Sequence, residues 1–227
     1  MAAIEPTRFT ERLGGEGNFD MIGCRVLATL LLLIVGFAGP ASAQPQTVEA
    51  HITAIMTRAE ETPSNEGLLA IAIAEARTAA AHASMATQKP DDLAWMKRRT
   101  EEVLHAVDPS ATAPGPGLEF GLLKAASGVA DHMSLALNSL KATPSVKAHG
   151  PTVLAGAEGA VTRARAIMDL GLKVRAAGAP AMARPLVEEI ERLTIAVLEG
   201  AEGDGGLLGA QRGGNLILKE DGLSGLD

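Results

Sequence analysis

Residues 180–200 read PAMARPLVEEIERLTIAVLEG. Leu186, Ile190, Leu193 and Val197 recur three and four positions apart, while Glu188, Glu191 and Arg192 fall on the opposite side. That is the period of an amphipathic α-helix; a half-buried strand would alternate at every second residue. Pro180 and Gly200 punctuate the segment at its two ends. Residues 146–177 repeat the pattern, with Val153, Ala157, Ala160, Ala164, Ile167 and Val174 on one stripe and Arg163 and Arg165 opposite. No stretch of the chain shows the alternation of a strand, so the fold class is all-α.

Proline and glycine divide the rest into further helical segments. They run about Thr47 to Glu61, with Thr47 as the N-cap, about Glu66 to Thr87, and from a cap at Asp91 or Asp92 to about Val107. After a Pro- and Gly-rich loop come about Leu118 to Leu140 and about Val146 to Ala177. Gly150-Pro151 is able to delay the start of that last helix to Pro151, a good first-turn residue. Short turns between long helices imply antiparallel neighbours. The expectation is an up-and-down bundle of about six alanine-rich helices over residues 44–201, followed by a flexible glycine-rich C-terminal tail over 202–227.

Residues 21–43 set the expected compartment. Arg25 supplies a basic start, Val26 to Ala38 is apolar, Gly39-Pro40 breaks the run, and Ala41-Ser42-Ala43 is a small-x-small cleavage pattern. This is the layout of a secretory signal peptide. The apolar run is shorter than the roughly 20 residues a permanent span needs. The reading is therefore a periplasmic or secreted protein, with no permanent membrane span after cleavage. Residues 1–20 lie upstream of a complete signal and read as an extension, with Met21 as the initiator. Cys24 is the only cysteine. Cleavage removes it, leaving no disulfide, no thiolate ligand and no attachment site for covalent haem.

Composition excludes several function classes. The net charge is −7 with no basic block, which disfavours nucleic acid as a partner. Trp95 and Phe120 are the only aromatics after residue 43, so stacking on bases or sugar rings has almost nothing to use. No Gly-x-Ser-x-Gly elbow or comparable signature nominates a catalytic nucleophile.

The five histidines fall on or just before five different helical segments. In an up-and-down bundle, His51, His82, His132 and His149 would share one pole, roughly 6 to 12 Å from its end, and His105 would lie at the other. Neutral imidazole is the ligand form, and a helix N-terminus disfavours imidazolium, which suits His51 and His149. Converging imidazoles would take copper, zinc or nickel, or the two axial positions of a non-covalent haem, with Met85 and Met133 as available sulfur ligands. Glu102-Val-Leu-His105 has the Glu-x-x-His spacing of di-iron bundles but no second copy, and Arg98, Glu101 and Asp108 predict a solvated charged face there. Glu202-Gly-Asp204 lacks the closing acid of a calcium loop and reads as linker. The sequence thus points to an exported bundle holding a transition metal (copper or zinc) or haem through His51, His82, His132 and His149. The alternative is a structural or interaction module without cofactor, acting by self-association or with a protein partner.

Overall fold

The computed structural model describes residues 47–201 and 203–223. The chain divides into two units, residues 1–43 and 44–227, and the described residues belong to the second. The expected upstream extension, signal peptide and cleavage site therefore lie outside the described residues.

Every regular element among them is helical: α1 (Val48–Met56), α2 (Leu68–Thr87), α3 (Leu93–Val107), α4 (Leu122–Asn138), α5 (Pro144–Ala176), α6 (Pro180–Glu199) and α7 (Gly206–Glu220), with two short 3-10 turns. No helix among them is long and apolar enough to cross a membrane. Side-chain caps set several starts. Thr47 accepts from the N–H of Ala50, Asp92 from that of Trp95, and Thr143 from that of Val146. Each satisfies an amide that the first helical turn leaves without an intrahelical partner.

The long helix α5 is the spine of the fold. Its 33 residues span about 50 Å. All six apolar residues of its expected stripe, from Val153 to Val174, are fully buried. The helix begins at Pro144 and runs straight through Gly150-Pro151 rather than starting there. Its first turn is held from outside: Asp221 accepts hydrogen bonds from Thr143 Oγ1 at 2.8 Å and Ser145 Oγ at 2.5 Å. These bonds fix helical geometry upstream of the proline, whose missing N–H then costs one bond inside an anchored helix.

Two expectations are corrected. The stretch 202–227 is not simply a tail, because α7 occupies most of it and packs along α5. Its glycines serve close approach instead of freedom. A Cβ at Gly156 of α5 would overlap the Gly206 carbonyl oxygen, and one at Gly214 would overlap Met56. Leu207, Ala210 and Ile217 form the buried stripe. Ahead of the helix, Asp204 accepts from the N–H groups of Ala201 and Gly206 and pairs with Arg163 at 2.5 Å. Burial pushes the Asp204 carboxyl up, but its hydrogen bonds from Arg163, Gly206 and Ala201 outweigh that and hold it below the usual range. The expected linker is thus a capped helix start.

The second correction concerns direction. The first helix stops at Met56 instead of near Glu61, and it does not form a hairpin with the next. Three contacts on α4 fix the course of the chain: His51 meets His132, Leu68 lies against Gly128, and Glu75 bonds to Gly121. As the chain advances through α1 and α2, its partners on α4 recede toward that helix's start. So α1 and α2 follow one another in one direction along α4. His82, two turns beyond Glu75, is carried away from His51 and His132.

A strap over residues 108–121 joins α3 to α4 and is tied down by two buried polar side chains. Glu75 is 1% exposed, and its Oε1 accepts the N–H groups of Leu118, Phe120 and Gly121 at 3.1, 3.3 and 3.0 Å. Gly117 has φ +134°, a conformation that L side chains rarely adopt, and a Cβ there would overlap the other Glu75 oxygen. His105 is 2% exposed and binds Thr112 Oγ1 at 3.0 Å and Glu119 Oε1 at 3.1 Å. On the face expected to be solvated, Arg98 is exposed and Glu101 and Asp108 are half-buried, but His105 itself is buried under the strap.

Candidate functional site

The four histidines expected to converge do not. His149 Nε2 meets Glu220 Oε1 at 3.1 Å, linking α5 to α7. His82 Nδ1 stands 2.9 Å from Glu102 Oε2, as an ion-pair contact whose angle does not make a hydrogen bond. With His105 on Glu119, three of the five histidines have a carboxylate partner. His51 and His132 have each other.

These two side chains approach from α1 and α4. Their Nδ1 atoms are 2.9 Å apart, their ring centroids are 5.2 Å apart, and the rings are tilted by 59°. His51 is buried beside Val48, Ile52 and Ile55 on the inner face of α1, while His132 is half-buried. At that distance one Nδ1 carries a proton and donates while the other accepts. Burial, and then the charge that His132 would carry, push the His51 imidazole below its ordinary value of 6.5. His132 opens on a cleft of about 290 Å³ also lined by Ala50, Ala54, Arg58, Ala59, Glu60 and Glu61. The small side chains Ala50 and Ala54, one turn apart on α1, leave that cleft open.

The direction of the His51 shift fixes a pH dependence. Below 6.5 the unfolded chain binds a proton that the folded chain resists, so stability rises with pH across that window. The metal-free protein should lose stability as the pH falls through 6.5, and this loss is complete once the pH passes below the folded value. Urea unfolding between pH 7.5 and 5 checks it. His51→Asn should remove this part of the slope, and an unchanged slope in that variant would refute the assignment.

Among the described residues no three His, Cys, Asp or Glu side chains form a ready-made metal cage. A larger cleft, about 470 Å³, opens between the strap, α4 and α5. Its acids are engaged internally: Glu119 binds His105, and Asp108 accepts from Ser110. Lys124 lies 4.1 Å over the Phe120 ring, and no histidine reaches that cleft.

Reading the sequence alone missed Glu75. Its signal was available: an acid at position i+4 and i−4 from the apolar residues Ile71 and Ala79, in a segment otherwise free of charge until Arg77. The partners of His82, His105 and His149 left no comparable mark, because they lie on other elements or loops. Comparison with known protein families, with curated proteins and with solved structures finds no match to this chain.

Proposed function

We propose that this chain is an exported helical-bundle protein that binds one transition-metal ion, copper or zinc, between His51 and His132. The observation that carries the reading is the 2.9 Å separation of the two Nδ1 atoms, from two helices, with no carboxylate between them. Imidazole nitrogens sharing one tetrahedral zinc stand roughly 3.3 Å apart. The pair needs to open by only a few tenths of an ångström to admit an ion. The lowered His51 value favours the neutral, ligating form at physiological pH. Of the two histidines only His132 lines the cleft that also holds Glu60 and Glu61, so further ligands would be water or a carboxylate drawn in from that side.

This narrows the sequence expectation. His82 and His149 stand apart from the pair, beside Glu102 and Glu220, so the proposed ligand set is His51 and His132. Haem is disfavoured as well, since axial imidazoles lie on opposite sides of the iron, about 4 Å apart. Export through the signal at residues 21–43 would place the site in a periplasm or outside the cell, where the chain meets metal without cytosolic thiols competing for it.

Equilibrium dialysis against zinc and against copper tests the assignment. His51→Ala and His132→Gln should each weaken binding about 100-fold or abolish it. His82→Ala and His149→Ala should leave it unchanged. No bound metal, or an equal loss in the His82 or His149 variant, would overturn the reading.

A further inference from the structure

The groove between α4 and α5 carries charges of both signs, sorted to its two ends. Gly150, near the start of α5, lies against Met133 and Leu137, near the end of α4. Arg165, further along α5, shares a cleft with Lys124 and Ser127, nearer the start of α4. The two helices are therefore antiparallel. Clefts of about 470 and 430 Å³ open along them, and Ser127 and Arg165 line both, so the two clefts form one groove. Lys124 and Asp131 stand seven residues apart on α4, as do Glu158 and Arg165 on α5. Seven residues return a helix to the same face two turns on, about 10 Å along its axis. Because the helices run in opposite directions, Lys124 and Arg165 gather at one end of the groove and Asp131 and Glu158 at the other.

Each end thus collects like charges, which repel until something of opposite charge lies between them. None of the four side chains forms an ion pair among the described residues. Lys124 is held at its end by the Phe120 ring, 4.1 Å away. The acids that also line this end, Glu119 and Asp108, are committed to His105 and Ser110. Midway, Ser127 is half-buried and its hydroxyl has no partner among the described residues, while Ala130 and Val161 add an apolar surface.

We propose that this groove binds a short zwitterionic peptide, about three residues long, as an extended chain. Its terminal carboxylate lies with Lys124 and Arg165, and its terminal ammonium with Asp131 and Glu158. The spacing sets the length: at 3.3–3.6 Å per residue an extended tripeptide covers about 10 Å. A free amino acid holds its two charges too close together to reach both ends. A simple anion or amine would relieve one end and leave the other as it was. The Arg165 guanidinium offers a carboxylate two parallel donors, and the Ser127 hydroxyl is free to bond the peptide backbone between the ends. This site is separate from the His51–His132 pair and needs no metal.

Titration of nitrogen-15-labelled, metal-free protein, purified from cells expressing the full chain, with trialanine tests this. The expected result is saturable movement of amide resonances in 124–131 and 158–165. N-acetylated trialanine and trialanine amide should each bind about tenfold more weakly, because each loses the charge that one end recognises. Arg165→Gln, at an exposed position, should weaken trialanine about fivefold and leave the amide form unaffected. Asp131→Asn, also exposed, should do the same for trialanine and leave the N-acetylated form unaffected. No saturable shift up to about 10 mM trialanine would overturn the proposal. Equal binding of the end-blocked peptides, or shifts confined to other helices, would overturn it as well.

Discussion

Glu75→Ala is expected to lower the unfolding free energy by about 3 kcal/mol. One carboxyl oxygen accepts three backbone N–H groups, from Leu118, Phe120 and Gly121, in a spot that is 1% exposed. Alanine leaves those amides without their acceptor, and the buried ones of Phe120 and Gly121 without water as well, at about 1–3 kcal/mol for each group that finds no new partner. Strap movement recovers part of that for the outermost amide, which is why the sum of three is not reached. The same change opens a cavity beside Gly117. Glu75→Gln keeps the acceptor oxygen and the volume, so it should cost distinctly less than alanine. Denaturant unfolding of the two variants checks the order. Protease cleavage within 108–121 should rise with the alanine variant, because the strap loses its tie to α2 while its tie to His105 persists. Equal stability of Glu75→Ala and the parent would show that the strap is held by other contacts.

Gly156→Val is expected to cost about 2–3 kcal/mol and to loosen α7 from α5. A Cβ at this position would already overlap the Gly206 carbonyl oxygen, and backbone cannot rotate away as a side chain can. The helices must separate, which falls in the usual range for overpacking of a close contact. Loosening α7 also removes Asp221 from Thr143 and Ser145 and Glu220 from His149, so the start of α5 loses its outside anchor. Hydrogen exchange should show faster exchange in 206–220 and in the first turns of α5, with α2, α3 and α6 little changed. Uniform protection across α7 in the variant would mean that its glycines do not set the contact distance.

The local parts of the fold were legible because their causes are local. Thr47 and Asp92 announce helix starts through their side-chain oxygens, and the stripes from Val153 to Val174 and from Leu186 to Val197 follow the helical period; the cap at Thr143 was not read, and α5 was expected to start at about Val146 or at Pro151. The start of α7 was hidden by Gly203, Gly205 and Gly206, which suggest freedom until the partner surface is known. Its stripe of Leu207, Ala210 and Ile217 was nonetheless at helical spacing. The candidate site was half legible. His51 and His132 belonged to the expected set, and they meet. His82 was misplaced because residues 57–67, between α1 and α2, carry the chain onward instead of reversing it, and no single residue there states a direction. His149 lies at the expected end but turns to Glu220, on a helix that the sequence reading did not contain. Ion pairs between elements far apart in the chain have no periodic signature, so only the folded arrangement identifies the two histidines that, among the described residues, meet each other instead of a carboxylate.

Nitrogen-15 spectra of histidine-labelled protein, recorded as zinc is added, test the His51–His132 site most directly. Binding at the pair should shift the Nδ1 resonances of His51 and His132, with a saturating endpoint, while His82, His105 and His149 keep their positions. Zinc that shifts His82 or His149 instead, or that leaves all five histidines unmoved, would contradict it.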